Sequence, residues 1–422
     1  MLTKKLSSSQ KRILNNIISL GVLQGANYIL PLLTVPYLVR VLGLDIFGLL
    51  AFSTAFIMYF LLISDYGFNL SATNQIAINK EDKSKINEIF CSVLIIKFTL
   101  VILGFILMIS IVYLMPKLNN NMLLYIYTFG MVVGQAMIPL WLFQGMEKMK
   151  YMTYFNILAK LIATASIFIF VQEKSDYLLV PIFISLGFIV SGILSLFYAL
   201  KIFDLKLYIP SKETLLIYLK DGWHIFINNI FVNLYSTTNM IILGFLTNNT
   251  VVGFYALAEK IIGAISGLFV PVTQAIYPYM ASLYTKSEMS YLKLFTKMRL
   301  FIIIISTLFI LIIFNFNSEI IKLISGDINN NVSSVLVIIS ISLLTSPLGT
   351  LFTQSFIIRK RTDSFLKVVK FTFLTNMILV FPMIYFYREQ GLAYTVFITQ
   401  IVHISLNIYF TSKLNNINKE SN

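Results

Sequence analysis

Between Asp45 and Lys80 the sequence carries one charged residue, Asp65. Nineteen uncharged, mostly apolar residues (Ile46 to Ser64) run straight up to it. Runs of this kind recur along the chain and constrain its fold more than any other feature. A helix of about 20 apolar residues crosses the hydrocarbon core of a bilayer. Lipid offers no partners to backbone N–H and C=O groups, so a spanning segment is either a helix or a strand of a closed barrel. These runs are too long and too little alternating for barrel strands. The expected class is an all-α integral membrane protein.

Only 12% of the residues are charged, against about 25% in soluble globular domains. Twelve spans are expected, near 14–39, 46–73, 89–114, 122–145, 152–171, 178–199, 222–246, 252–283, 299–316, 331–356, 367–387 and 391–411. The first run is too long for a signal-peptide core and reads as a retained span. A net charge of +14 would suit nucleic acid, but the basic residues sit in short clusters between apolar runs. No nucleic-acid partner is expected.

Those clusters orient the chain. Of 32 Lys and Arg residues, five (Arg40, Lys117, Lys174, Lys322, Arg388) fall in one set of loops and three (Lys97, Lys160, Lys260) within spans. The other 24 lie in the alternate loops and at both termini. By the positive-inside bias the termini are cytoplasmic, and the clusters face anionic membrane lipids. No loop is long enough for a soluble catalytic domain, so function is expected between the helices.

The chain also reads as two halves: an N-terminal lobe at 1–200, a cytoplasmic linker at 201–221 and a C-terminal lobe at 222–422. "FGLLA" at Phe47–Ala51 is echoed by "VGFYA" at Val252–Ala256, an offset of 205 residues. Gln144 and Gln354, each shortly after a proline, are echoes at an offset of 210. Two six-helix repeats around a central cavity are expected. Pro31 with Pro36 and Pro271 with Pro278 are either simple bends or hinge points.

Charges at membrane depth usually face a partner or a cavity. Asp65, Lys97 and Lys160 each fall about 10 to 13 Å from the inner boundary, counted at about 1.5 Å per residue. They read as an intramembrane ion cluster, more structural than functional. Glu259 and Lys260 are adjacent on one helix and point about 100° apart, so at least one should face the cavity. Arg40 is either an interface anchor or a cavity-mouth cation. Glu259 and His403 are candidates for ion coupling. The amides of spans one and seven, among them Asn27, Asn229 and Asn233, suit sugar hydroxyls and equally suit helix–helix contacts.

Two histidines and one cysteine, Cys91, leave no metal site, no internal disulfide and no metal cofactor to expect. No phosphate-binding glycine loop and no nucleophile–base pattern appears. The expectation is a non-enzymatic protein without cofactors.

Several segments resemble a known family. "NYILPLLTVPYLVRVLG" (Asn27–Gly43) is similar to the opening of the polysaccharide transporter family. "SDYGFNLSATNQIAIN" (Ser64–Asn79), "PLWLFQGMEKMK" (Pro139–Lys150) and "VGFYALAEKI" (Val252–Ile261) resemble the O-antigen flippases within it. The resemblance implies a superfamily shared with multidrug exporters and the lipid II flippase. It implies an undecaprenyl-diphosphate-linked oligosaccharide as substrate, a bacterial plasma membrane location, and a polysaccharide polymerase and chain-length regulator as partners. Arg40 and Lys260 fall inside the family-like segments. The alternative is an ion-coupled small-molecule antiporter.

Overall fold

The computed structural model describes residues 8–420. Side chains are described from 33 to 413, except 228 and 231–236, and also at 25 and 30. Asn27 and Asn233 lie outside the described side chains.

Among the described residues, regular structure is helical throughout. In chain order the helices are α1 (Ser8–Asp65), α2 (Phe68–Ile78), α3 (Lys83–Leu114), α4 (Pro116–Asn119), α5 (Met122–Met137), α6 (Leu140–Gly145), α7 (Met149–Phe170) and α8 (Leu179–Ile202). They continue with α9 (Lys212–Leu246), α10 (Asn249–Gly267), α11 (Val270–Lys286), α12 (Glu288–Ser325), α13 (Asn330–Ile339), α14 (Ser342–Ile358) and α15 (Thr362–Glu420). Polar residues start several of them. Side chains of Asp82, Asn248, Ser287 and Asn329 accept from backbone N–H groups in the first turns of α3, α10, α12 and α13.

Straight helices as long as α1 and α15 would run to about 90 Å, some three times the hydrocarbon core. Each contains a non-helical residue, Gly43 in α1 and Arg388 in α15. Both fall between expected spans. Among the described residues, nine helical segments are long and apolar enough to cross a membrane. One of them, 362–413, holds both spans expected at 367–387 and 391–411. The span expected at 14–39 runs largely through residues outside the described side chains, and the one expected at 222–246 does so only at 228 and 231–236.

Four expected spans are not continuous helices. Span two breaks at Tyr66–Gly67, span four at Ile138–Pro139, span eight at Leu268–Phe269 and span ten at Ser340–Ile341. The breaks recur at one offset: 66–67 with 268–269, and 138–139 with 340–341, both 202 residues apart. Gly67 takes φ 79°, a left-handed conformation that a residue without Cβ adopts freely. Pro139 has no N–H to continue α5. Pro347, by contrast, sits inside α14. Its missing N–H leaves the carbonyl of Leu343 without its usual donor, and the buried Ser306 hydroxyl supplies one at 2.7 Å.

The chain forms two compact units: Met1–Leu30 with Leu50–Thr238, and Pro31–Leu49 with Asn239–Asn422. The first packs Phe68, Ile76, Phe90, Trp141 and Phe143 in its core. In that unit α9 starts at Lys212, well before the apolar run expected from 222. Asn87 holds both the N–H and the C=O of Lys206 at 2.9 Å, and Tyr218 donates to Glu88 at 3.0 Å. The second unit packs Tyr291, Phe295, Phe352 and Phe356.

Within the second unit α1 crosses α10 with the two backbones in contact. A Cβ on Gly48 would overlap the carbonyl of Asn249, and one on Gly253 the carbonyl of Leu44. These are the glycines of "FGLLA" and "VGFYA". Small residues permit such close crossings between membrane helices. Gly48→Ala is expected to cost about 1–3 kcal/mol by overpacking and to lower the melting temperature of detergent-solubilised protein. Gly263→Ala, on the same α10 with nothing within 4 Å of a new Cβ, should leave it unchanged.

Candidate functional site

Asp65 is the last residue of α1. The next residue, Tyr66, takes φ 47°, sparsely populated for a residue with a side chain. An aromatic stack holds it there: its ring lies on Phe226 at 4.7 Å between centroids, with Trp223 beside both. The break aims Asp65 toward α3, where Lys97 Nζ stands 3.7 Å from Asp65 Oδ1. The Lys97 side chain is 2% exposed and that of Asp65 18%, so the pair lies in the interior of this unit. Lys97 also lies over the Trp141 ring, 4.9 Å from its centroid. Trp141 belongs to α6, just past the break in span four. One ammonium therefore ties together the two broken spans, a carboxylate on one side and a π face on the other.

A cavity of about 180 Å³ opens beside the pair. Met58, Leu61 and Leu62 of α1 form its apolar wall. Tyr59, Asp65, Asn69, Gln135 and Thr237 form its polar wall. Tyr59 and Thr238 hydroxyls are hydrogen-bonded to each other. Asn69 Oδ1 is buried and has no hydrogen-bond partner. Polar side chains from α1, α2, α5 and α9 thus converge where two helices are interrupted, the arrangement by which membrane transporters commonly build sites. Chemically it offers acceptors, amide donors and a hydroxyl, next to an already neutralised charge.

The other sequence candidates lie elsewhere. Arg40 is exposed on α1 and donates to the carbonyls of Ile324, at 3.2 Å, and of Leu323. It thereby caps the last turn of α12, where a cation also meets the negative end of the helix dipole. Glu259 and Lys260 are neighbouring exposed residues on α10. Asn229 is partly buried on α9, and Lys160 partly buried on α7. His403 packs in the second unit, with Nδ1 3.4 Å from Thr372 Oγ1. A Cβ at Gly349 would lie 2.8 Å from its Nε2, so the ring fills the space that glycine leaves. Among the described residues no cluster of three His, Cys, Asp or Glu could hold a metal ion.

Tyr59, Asn69, Gln135 and Thr237 were not among the sequence candidates. The signal for Asn69 was the "DYG" preceding it, a turn pattern inside an apolar run. For Gln135 it was an amide three residues before Ile138–Pro139.

The fold and this polar interior define a multi-pass, all-helical membrane transporter. Solved structures agree on the fold. An inward-facing multidrug resistance MATE transporter of the MOP superfamily matches with a TM-score of 0.71 at 14% identity, over 93% of this chain and 96% of that one. The lipid II flippase MurJ in an inward closed conformation matches with a TM-score of 0.72 at 16% identity, over 95% of this chain and 87% of that one. The chain belongs to the family described as "Polysaccharide biosynthesis protein", which matches residues 13–284. A relative in Escherichia coli (strain K12) named "Putative O-antigen transporter" is 35% identical over 97% of this chain and 98% of its own length. One of the same name in Shigella dysenteriae is 27% identical over 92% and 97%.

Removing one partner of a buried ion pair leaves the other charge uncompensated, at a cost of about 3–5 kcal/mol. Asp65→Ala should therefore lower protein level and melting temperature sharply. Asp65→Asn combined with Lys97→Met, which removes both charges, should recover most of the loss. A double variant no more stable than Asp65→Ala would contradict this account.

Proposed function

We propose that this protein is a flippase for a lipid-linked oligosaccharide. The observation that carries the reading is the 35% identity along 97% of the chain to a relative named as an O-antigen transporter. The substrate in this reading is an undecaprenyl-diphosphate-linked repeat unit of O-antigen or capsule. It moves from the cytoplasmic to the outer leaflet of a bacterial plasma membrane, with both termini of the protein in the cytoplasm. Two six-helix lobes, 1–200 and 222–422, joined by the linker at 201–221, rock about a central cavity. The repeat of helix breaks at an offset of 202 supports a duplicated architecture.

Lys260, Glu259, Asn27, Asn229 and Asn233 line the path in this reading, with Arg40 at its mouth while holding the end of α12. The sugar head travels between the lobes and the lipid tail stays in the bilayer. Glu259 and His403 are the groups proposed for ion coupling. A polysaccharide polymerase and a chain-length regulator take over the product on the outer side. No step makes or breaks a covalent bond, so the protein acts as a transporter and not as an enzyme.

Deletion of the gene is expected to abolish surface polysaccharide and to accumulate the lipid-linked unit on the inner leaflet, with recovery on complementation. Intact surface glycan together with altered drug sensitivity would instead support a small-molecule antiporter. Lys260→Ala, at matched protein level, should reduce export several-fold. Arg40→Ala should lower the melting temperature, through loss of a cap worth about 0.3–1 kcal/mol.

A further inference from the structure

The cavity at the break of span two contains an unmet chemical demand. Asn69 Oδ1 is buried without a donor. Lys97 engages one oxygen of Asp65, and among the described residues no hydrogen bond reaches the other. Gln135 and Thr237 face the same space and bring amide and hydroxyl donors. Buried acceptors left without donors are costly, and more so in a membrane protein's interior.

The unmet groups select the ligand's chemistry. A second cation would stand beside the Lys97 ammonium, which already balances the carboxylate. An anion such as a diphosphate would be repelled by the Asp65 carboxylate and would leave Asn69 Oδ1 without a donor. A lipid tail would leave both acceptors unpaired. A neutral ring rich in hydroxyls supplies donors to Asp65 and Asn69 and acceptors to Gln135 and Thr237. Its C–H face rests on the apolar wall of Met58, Leu61 and Leu62. The volume of about 180 Å³ is large enough for one such ring.

We propose that this cavity is a glycan subsite that binds a single sugar ring of the lipid-linked unit by neutral hydrogen bonds. The inference rests on the flippase reading and extends it: recognition of the sugar is assigned to the broken span two rather than to membrane cations. Lys97 is a positioning residue here. It fixes the Asp65 carboxylate so that one oxygen remains for the ligand. A site built to hydrogen-bond hydroxyls discriminates strongly against an analogue lacking them.

Two probes test the subsite on the full-length purified protein in nanodiscs. One is the lipid-linked oligosaccharide extracted from cells that lack this transporter; the other is bare undecaprenyl diphosphate. Wild type should bind the glycosylated lipid more tightly than the bare one. Asn69→Ala and Gln135→Ala should each weaken the glycosylated lipid about tenfold, the size of one hydrogen bond, and leave the bare lipid unchanged. Thr237→Val, which removes a hydroxyl at constant shape, reads the same ratio if Asn69→Ala fails to match the wild-type melting curve. Variants that keep the wild-type ratio, or weaken both lipids equally, overturn the subsite while the flippase reading stands. Sodium that raises the melting temperature of wild type but not of Asn69→Ala would make the cavity a cation site and overturn it too. Wild type that binds neither lipid overturns the flippase reading and the subsite with it.

Discussion

The ion pair between Asp65 and Lys97 is the interaction on which the inner part of the first unit depends. Lipid penalises both an unpaired charge and an unpaired backbone, and this site contains each hazard at once. The first helix of span two ends at Asp65, and that of span four ends at Met137. Lys97 reaches both interruptions, meeting the carboxylate of the first and the Trp141 ring of the second. An apolar triad of the same volume would pack as well but would not fix the direction of a carboxylate. That direction is what leaves an acceptor facing the cavity.

Backbone interruptions organise the second unit in the same terms. Its spans break at Leu268–Phe269 and Ser340–Ile341, at the same offset from the breaks in spans two and four. Where a proline removes a donor, as at Pro347, a buried serine from a neighbouring helix supplies one. Where two backbones must touch, as α1 and α10 do, both helices carry glycine. At Pro347 and at the α1–α10 crossing, a local departure is thus matched by a specific side chain, or by the absence of one.

Much of the fold was legible in the sequence because the bilayer makes one demand of every span. Charge-free runs about 20 residues long announce helices without any help from tertiary context. The interruptions were less legible. Gly67 and Pro139 are visible breakers, whereas Leu268–Phe269 and Ser340–Ile341 contain neither glycine nor proline. Hydropathy averages across such points without a dip. Within the site, counting helix rise placed Asp65 and Lys97 at one depth, and the two stand 3.7 Å apart. Depth says nothing about which way a helix faces, so it could not bring Asn69, Gln135 and Thr237 to one cavity. Nor could it show that Arg40 closes the end of α12, a contact 284 residues distant in sequence.

The central claim is the proposed one, that this protein carries a lipid-linked oligosaccharide across a bilayer. Its most direct test is purified protein reconstituted in vesicles loaded with a fluorescent lipid-linked oligosaccharide. A membrane-impermeant glycosidase added outside reports the exposed pool. The account predicts that protein-containing vesicles expose the inner-leaflet pool over time, while protein-free vesicles keep that pool, about half of the total, protected. Protection that stays the same with and without the protein, whatever ion gradient is imposed, would contradict it.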